Sequence, residues 1–475
     1  MRGQGAGSRQ QAVGGRRNTS TQKTSVPAAR SLLPAASVLT IGVDDTDSPR
    51  GLCTTYIATE LVSEFSELDL IGWPRLVRLN PNIPWKTRGN GAIALGFGKG
   101  AGRPFPVGHL EGHKVLAYPR SIPCRIDLEE VLGRADRTVL ANSAPGEERT
   151  NPAIFAGLDT LPEMLYKNAV RELVRPSVVL ALLDGARRRG RRWAWKVHRG
   201  PRGIVGATAA AAWRGRRRTF EWLAYRMRER WGTPRRLDPG SVRRMDQRFL
   251  TTFNNIDLRN RHIVIAPHSP CPVLFGIRAF SPDELGRAAA AIKAGEGSDR
   301  ALMFLSNQGT DDHLQPMRVS VVRSYCSPVI AGRVESPPRT GRGGHVFFSI
   351  TDRTGTLDCA AFEPTKEFRA LVRQLLPGDR VVASGGVHRR PFTLNLEKLE
   401  LVRAVPAVTL RKPRCPACGT TMKSAGRAAG YRCRRCHRRS GAGSAVKEAR
   451  TRTLSPGVYE VPKCARRHLS RPLER

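Results

Sequence analysis

The spacing of apolar and polar positions predicts an N-terminal region that mixes strands and helices. Residues 37–43 form a short β-branched apolar run that predicts a buried strand, and residues 54–65 have helical spacing. Further along, the pattern predicts strands over 76–79 and 91–97 and helices over 162–173, 177–186 and 218–231. Such a mixture indicates α/β or α+β domains.

The pattern changes after residue 317, where short alternating strands are separated by Gly and Pro turns. The predicted strands are residues 319–322, 346–352, 356–362, 380–385 and 394–401, with one helix over 363–376. Five strands with a helix between the third and the fourth indicate a five-stranded OB barrel. Residues 1–38, by contrast, have low complexity and no hydrophobic periodicity, which predicts a disordered basic arm.

The cysteines give a strong local motif. Two Cys-X-X-Cys pairs, separated by 14 residues, consist of Cys415, Cys418, Cys433 and Cys436. Four thiolates complete a tetrahedral zinc site with no open position, so we expect structural Zn²⁺ in a zinc ribbon over residues 411–440. The alternative is four unligated thiols.

The charge indicates a polyanionic partner. The chain has 475 residues with 80 Lys or Arg and 40 Asp or Glu, a formal net charge of +40. From residue 411 onward there are 18 Lys or Arg and three acidic residues, so we expect the basic tail at 441–475 to lie on phosphate. In the OB region, Phe347, Phe348 and Phe392 are candidates for stacking on bases, although alternation places one of the first two in the core.

The sequence gives no sign of a membrane segment. Polar residues interrupt the apolar runs well before the roughly 20 residues that span a bilayer. The first residues lack the apolar centre of a secretory signal. We therefore expect a cytoplasmic protein.

Three carboxylates follow the first predicted strand: Asp44, Asp45 and Asp47. Like charges at this spacing repel one another unless a divalent cation neutralises them, so Mg²⁺ holding a nucleotide triphosphate is the expected occupant. An acidic turn that caps the next helix is the alternative. A two-metal nuclease would use similar carboxylates, so the cluster alone does not identify the reaction.

A second motif with possible chemistry is the loop over residues 80–91, which contains Lys86, Arg88, Asn90 and two glycines. Such a loop can bring cations and backbone N–H groups to phosphates. It is not a Walker A sequence. Together with the carboxylates it predicts a site for metal and phosphate.

Several motifs in order closely resemble the archaeal tRNA(Ile) 2-agmatinylcytidine synthetase (TiaS) family. Beside the loop over 80–91, they are IGVDDTDSPRGLCTTY at 41–56, TFNNID at 252–257, PVLFGIR at 272–278 and SNQGTDDH at 306–313. An OB pattern and a four-cysteine ribbon follow. The resemblance extends from about residue 39 to the C-terminus.

The resemblance implies a domain order. A kinase-like ATP domain would occupy residues 39–200, and a ferredoxin-like, agmatine-binding domain would occupy 201–316. The boundary between them is open, and the two may interleave. The OB fold would occupy 317–404, before the ribbon and the tail.

The resemblance also implies an activity. Family members conjugate agmatine to C2 of cytidine 34 in the CAU anticodon of tRNA(Ile), so that the tRNA reads AUA. They consume ATP, yielding AMP and pyrophosphate, and autophosphorylate a threonine that corresponds to Thr54. Asp44, Asp45 and Asp47 then become candidates for Mg²⁺ and ATP, and Lys86, Arg88 and Asn90 for phosphate.

Agmatine carries a guanidinium and an amine, so its pocket should supply carboxylates and carbonyls. The segments 254–257 and 307–312 are the expected lining, with Asp257 and Asp311 as candidates. The main alternative to an enzyme is a non-catalytic RNA-binding protein built on the same OB and ribbon modules.

Overall fold

The structure is a computed structural model that describes residues 38–87, 89–144 and 146–474. The predicted N-terminal arm and Arg88 lie outside the described residues, apart from the arm's last position. None of the helices in the described ranges is long and apolar enough to cross a bilayer.

One mixed sheet of 13 strands runs through the N-terminal two thirds of the described chain. Eleven strands lie side by side in the order Thr252–Phe253, Val273–Ala279, Thr219–Arg226, Ser298–Ser306, Phe105–Leu110, His113–Tyr118, Asp69–Ile71, Gly91–Ala101, Leu39–Asp44, Ala153–Gly157 and Trp193–Val197. Arg75–Arg78 pairs with both Ser298–Ser306 and Gly91–Ala101, and Arg120–Ile122 pairs with Gly91–Ala101. The sheet therefore continues without a break from the first predicted domain into the second.

The helices of this region are Thr54–Glu64, Leu128–Ala141, Met164–Arg171, Pro176–Arg188, Gly203–Ala212, Pro239–Arg248 and Leu285–Ala290. They cover both faces of the sheet because the strands alternate between two cores. In Gly91–Ala101, Ile93 and Leu95 point into the core that holds Thr54–Glu64, whereas Ala92 and Ala94 point into the core that holds Gly203–Ala212. The architecture is a mixed α/β layer structure, as predicted.

The helix Gly203–Ala212 lies unusually close to the sheet. A Cβ added at Gly42 would lie 2.2 Å from the carbonyl oxygen of Ala207, so only glycine fits at this point of the strand. The run of alanines from 209 to 212 allows the same close approach. This contact places the helix beside the end of the strand Leu39–Asp44.

A five-stranded barrel follows, which confirms the OB prediction. Its strands are Pro328–Val334, Val346–Asp352, Gly355–Ala361, Arg380–Val387 and Leu394–Arg403, with the helix Phe368–Val372 between the third and fourth. Pairing of the first strand with the second closes the barrel. Phe348 lies in the barrel core, while Phe347 is partly exposed and Phe392 is 45% exposed. Short strands elsewhere in the chain are Ile256–Asp257, His262–Ile263, Gln315–Pro316 and Arg339–Thr340.

Two predicted elements were wrong. Residues 319–322 form a short 3₁₀ turn, Val319–Val321, and the first barrel strand begins later at Pro328. Residues 218–231, predicted as a long helix, contain the strand Thr219–Arg226 and the 3₁₀ turn Arg228–Arg230. This strand is central in the sheet and buried along almost its whole length, so four apolar residues follow one another at 222–225 without alternation. Such a run cannot be distinguished by spacing from a buried helix.

The C-terminal region contains the ribbon and a returning segment. Ala407–Arg411 pairs with Val446–Arg450, and the cysteines sit on turns beside Lys423–Ser424, Tyr431–Arg432 and Arg439–Ser440. Gly457–Glu460 then pairs with the barrel strand Leu394–Arg403. Beyond it, the amide of Gly309 donates to the carbonyl of His468 at 2.8 Å, and Leu469 is buried in the N-terminal core. Part of the basic tail therefore packs against the body of the protein.

Candidate active site

A cleft at the end of the strand Leu39–Asp44 contains the predicted acidic residues. Its lining includes Asp44, Asp45 and Asp47 together with Lys86 and Asn90 of the loop over 80–91. The cleft has a cavity volume of about 250 Å³ and is open to solvent on one side, so a ligand can enter it from outside. The fold thus brings together the two motifs that the sequence placed about 40 residues apart.

Asp44 occupies the deepest position of the acidic group. It is 9% exposed, and its pKa lies well above the usual value because of burial and the neighbouring carboxylates of Asp45 and Asp47. Its carboxylate lies against Gly206, where an added Cβ would be 1.8 Å from Oδ2. The close packing of the helix Gly203–Ala212 therefore fixes the position of this carboxylate.

Asp45 is held by an arginine from the same helix region. Its backbone has a φ of 58°, and its Oδ2 accepts a hydrogen bond from Nε of Arg202 at 2.9 Å. Asn151 Nδ2 donates to the same oxygen at 3.4 Å. Burial raises the pKa of Asp45, and the Arg202 contact opposes that rise. The pair joins the acidic turn to the start of the helix Gly203–Ala212.

The three carboxylates line one cleft without converging on a single point. Asp47 contributes its backbone carbonyl to a 3.0 Å hydrogen bond from Thr150. Among the described residues, the four ribbon cysteines form the one group of three or more metal-ligating side chains whose donor atoms lie close together. A cation at the acidic turn would therefore need ligands from a bound nucleotide as well, which is the usual arrangement for Mg²⁺.

The loop over 80–91 also lines the cleft, through Ile83, Trp85, Lys86, Thr87, Gly89, Asn90 and Gly91. Asn90 Nδ2 donates to the carbonyl of Asn80 at 3.0 Å, and Lys86 Nζ donates to the carbonyl of Pro81. Although part of the Lys86 side chain is accessible to water, its protein surroundings lower its pKa to about 8, chiefly by desolvation and then through Arg467. The backbone of this loop is thus fixed by its own polar groups.

Thr54 is the first residue of the helix Thr54–Glu64, and its side chain is buried. Thr46 Oγ1 donates to Thr54 Oγ1 at 2.9 Å, so the hydroxyl is tied to the acidic turn between Asp45 and Asp47. Thr54 is not among the described residues that line the cleft.

The two candidate agmatine carboxylates lie away from this cleft and have internal partners. Asp257 accepts hydrogen bonds from the backbone and the side chain of Asn260, both at 3.0 Å, and from the amide of Cys464 at 3.2 Å. Burial would raise the pKa of Asp257, but these hydrogen bonds hold it below the usual value. Asp311 pairs with Lys398 Nζ at 2.5 Å and accepts from the amide of Arg471 at 2.7 Å.

The four cysteines form a separate centre. Sγ–Sγ distances are 3.3 Å for Cys415 and Cys436 and 3.4 Å for Cys418 and Cys433. All four sulfurs lie within 4.8 Å of one another, and none forms a disulfide. Tetrahedral zinc with Zn–S bonds of about 2.3 Å would separate its sulfurs by about 3.8 Å, so this donor set fits structural zinc.

Sequence reasoning missed two residues of the acidic cleft, Arg202 and Gly206. Arg202 belongs to the strongly basic stretch after residue 185, where one charge among many gives no signal for a specific ion pair. Gly206 begins a run of small residues that continues to Ala212, and such a run in a helix is a signal of close packing. The sequence does not show that Arg202 pairs with Asp45 or that Gly206 packs against Asp44.

Comparisons with known proteins agree across the chain. Family models match residues 40–190 (TiaS TCKD domain), 201–313 (TiaS FLD domain), 329–402 (OB-fold nucleic acid binding domain) and 412–454 (TiaS C-terminal zinc ribbon domain). The tRNA(Ile) 2-agmatinylcytidine synthetase TiaS of Methanosarcina mazei is 40% identical over 446 residues, which is 92% of this chain and 97% of that protein.

Solved structures give the same result. The crystal structure of TiaS in complex with its isoleucine tRNA and ATP matches with 35% identity and a TM-score of 0.78. That of TiaS with the same tRNA, AMPCPP and agmatine matches with 34% identity and a TM-score of 0.75. Each match covers 92% of this chain and 97% of the other. The chain belongs to the tRNA(Ile) 2-agmatinylcytidine synthetase (TiaS) family.

Proposed function

We propose that this chain is an ATP-dependent ligase that conjugates agmatine to C2 of cytidine 34 in the CAU anticodon of tRNA(Ile). The product, 2-agmatinylcytidine, allows the tRNA to read AUA codons. The observation that carries the proposal is the cleft in which Asp44, Asp45 and Asp47 face the loop bearing Lys86. Relatives that match over 92% of the chain carry this activity in their names.

The chemistry requires activation of the C2 oxygen. That oxygen is a poor leaving group until a phosphoryl group from ATP is transferred to it. The amine nitrogen of agmatine then bonds to C2 and loses a proton to water, and the C2–O bond breaks with release of inorganic phosphate. Lys86 and Asn90 hold the nucleotide phosphates in the cleft. Arg88 belongs to the same loop in the sequence and is the third residue proposed for phosphate. Cytidine 34 leaves its stack to reach the cleft, at a cost of a few kcal/mol that an anticodon loop reduces.

Mg²⁺ is the cation that the acidic turn would hold. Carboxylate oxygens are its preferred protein ligands, and it keeps part of its coordination for water and phosphate, which suits carboxylates that line a cleft without converging. Bound there, it would offset charge on the phosphates. Asp44 and Asp47 are the proposed ligands, while the Arg202 contact makes Asp45 the residue that orients the turn.

Thr54 is the proposed site of autophosphorylation. Only residues 48–53 separate Thr54 from the acidic group in the sequence. The hydrogen bond from Thr46 connects its hydroxyl to that group. Because this hydroxyl is buried, phosphorylation requires the turn between Asp47 and Thr54 to open.

The agmatine pocket is proposed at the segments 254–257 and 307–312, with Asp257 and Asp311 as carboxylates for its cationic ends. Both are held by internal partners, so the guanidinium or the amine of agmatine would have to replace a neighbouring donor such as Lys398. Asp257→Asn should then raise the KM for agmatine without changing the KM for ATP.

The remaining assignments complete the proposal. Residues 39–200 act as a kinase-like domain and 201–316 as a ferredoxin-like domain, while the OB fold, the ribbon and the basic C-terminal region hold the tRNA. The enzyme works in the cytoplasm, where ATP and tRNA are available.

A direct test follows ATP consumption. The purified protein is incubated with ATP, Mg²⁺, agmatine and a CAU-anticodon tRNA(Ile) transcript, and AMP and inorganic phosphate are measured by chromatography. Their formation should require all components. A non-catalytic RNA-binding protein would instead bind the transcript and release neither product, which would contradict the proposal.

A further inference from the structure

Three adjoining cavities lie between the OB barrel and the acidic cleft. The first lies on the barrel beside Phe362, and the second is lined by Arg389 and Arg390. The third is lined by Lys86 and His468. His388 lines all three cavities, so together they form one track that we call the barrel track.

The barrel track adjoins the acidic cleft. Its third cavity shares four lining residues with that cleft: Leu79, Lys86, Gly89 and Asn90. All four belong to the loop over 80–91 or directly precede it. A ligand that follows the track from the barrel would therefore arrive beside Asp44, on the side of the cleft that carries Lys86.

The third cavity has an excess of positive charge. Five of its ten described lining residues are basic or imidazole side chains, and none is acidic: Arg78, Lys86, His388, Arg467 and His468. Two carboxylates offset part of this charge, and one of them, Glu397, lines the first cavity of the track. Arg78 lies 3.6 Å from Glu221 and Arg467 lies 3.2 Å from Glu397.

The positive charge that these carboxylates leave unbalanced lowers the pKa of both histidines of the third cavity. The pKa of His468 lies well below the usual value chiefly because of Arg78, with Arg278 and Lys86 acting in the same direction, although the residue is accessible to water. The pKa of His388 is lowered by burial, Arg467 and Lys86. Cations that repel one another around a cavity are stabilised by an anion bound within it.

The phosphate group is the anion that this lining suits, since arginine, lysine and imidazole donors are the usual partners of its oxygens. It could come from the nucleotide in the cleft or from an RNA backbone. The barrel track begins on an OB barrel, passes Arg389 and Arg390, and has the half-exposed Phe392 close by in sequence. Such barrels bind single strands through basic grooves and aromatic side chains.

We infer that the barrel track binds the phosphodiester backbone next to cytidine 34 and guides that nucleotide from the OB barrel into the acidic cleft. The inference rests on the proposed function. It assigns an RNA contact to His388, His468, Arg389 and Arg390, which line the track and not the acidic cleft. The nucleotide phosphates remain with Lys86 and Asn90 in the cleft.

The test compares His388→Glu with His113→Glu. His113 is an exposed histidine on the hairpin strand His113–Tyr118, so both variants make the same change of charge and only one makes it in the track. Dissociation constants are measured for a CAU anticodon stem-loop RNA over a range of salt concentrations. The same RNA with an uncharged methylphosphonate at each linkage beside cytidine 34 is the second probe.

His388→Glu should weaken binding of the stem-loop about tenfold and reduce the salt slope by about 0.7 for each phosphate that the variant no longer binds. The methylphosphonate should weaken binding to the wild type and to His113→Glu but have a smaller effect on His388→Glu, which shows that the residue and the linkage interact. His388→Gln should fall between the wild type and His388→Glu.

Two results would overturn the inference. Equal effects of the methylphosphonate on His388→Glu and on the wild type would exclude contact with that linkage. A raised dissociation constant for ATP with unchanged RNA binding would assign the cavity to the nucleotide phosphates. Failure of the proposed function looks different, because the wild type would then form no agmatine conjugate although it bound the stem-loop.

Discussion

The carboxylate of Asp44 occupies the space that a side chain at Gly206 would need. A Cβ on Gly206 would lie 1.8 Å from Asp44 Oδ2 and 2.5 Å from its Cγ. Because Gly206 lies in the helix Gly203–Ala212 and Asp44 ends the first strand, this contact connects the packing of the N-terminal domain with the geometry of its acidic cleft.

Gly206→Ala should therefore displace Asp44 and lower the rate of ATP turnover by about tenfold or more. The added methyl group cannot fit while the carboxylate stays in place. Gly286→Ala is the matched control, since Gly286 is also helical and has no atom within 4 Å of an added Cβ. The control should keep full turnover and gain up to about 1 kcal/mol of stability. Equal turnover in both variants would contradict the role given to this contact.

Asp45→Ala should reduce ATP turnover roughly 100-fold, the range expected for loss of one preorganised charged group. Binding of tRNA should change less than about twofold, since the OB barrel and ribbon remain intact. Asp159→Ala is a suitable control because it removes a comparable contact, 2.7 Å from Arg192, outside the cleft. Turnover retained in Asp45→Ala would exclude the role of Asp45 in orienting the acidic turn for ATP.

Thr54→Ala should abolish autophosphorylation, measured by mass spectrometry of the peptide containing the two adjacent threonines. Thr54→Ser keeps a hydroxyl and should retain part of the signal. Thr55→Ala provides the control, because the Thr55 hydroxyl contacts Cys53 Sγ at 3.1 Å and is not tied to Thr46. Phosphate found on Thr55 in the wild type would show that Thr54 is the wrong hydroxyl.

The affinity for ATP should depend on pH through Lys86. Its pKa of about 8 lies below that of a free lysine, so the side chain is charged at pH 7 and loses its proton as the pH rises through 8. The KM for ATP should rise between pH 7 and pH 9 in the wild type. Lys86→Arg stays protonated over this range and should flatten the profile. A steep profile in Lys86→Arg would show that another group titrates.

Cys433→Ser should release the structural zinc, since one of four thiolates is lost. Metal content is measured by mass spectrometry, and tRNA affinity should fall about tenfold or more, while phosphorylation of Thr54 in the absence of tRNA should change less than about twofold. Cys124→Ser removes a thiol outside the cluster and should change none of these. Full zinc content in Cys433→Ser would refute the ligand set.

Much of the fold could be predicted because its elements have clear periods. The strand Leu39–Asp44, the helix Thr54–Glu64 and most barrel strands follow their patterns, and the Cys-X-X-Cys spacing identifies the ribbon directly. Thr219–Arg226 was missed because burial on both faces removes the alternation that marks a strand.

The site was predictable to the extent that its chemistry is local in sequence. Three acids in one turn are visible in the sequence, and so is a loop with Lys86. The partners of Asp44 and Asp45 come from about 160 residues away, and nothing local identifies Arg202 among its basic neighbours. The same limit applies to Asp257 and Asp311, whose internal partners Cys464 and Arg471 come from the C-terminal segment.

The central claim is tested most directly by weighing nucleoside 34. The protein is incubated with ATP, Mg²⁺, agmatine and a CAU-anticodon tRNA(Ile) transcript, and the RNA is digested and its nucleosides are weighed by mass spectrometry. We predict a cytidine heavier by the mass of agmatine less water. An unmodified cytidine, with the transcript still bound and a family member of known activity working in parallel, would contradict the account.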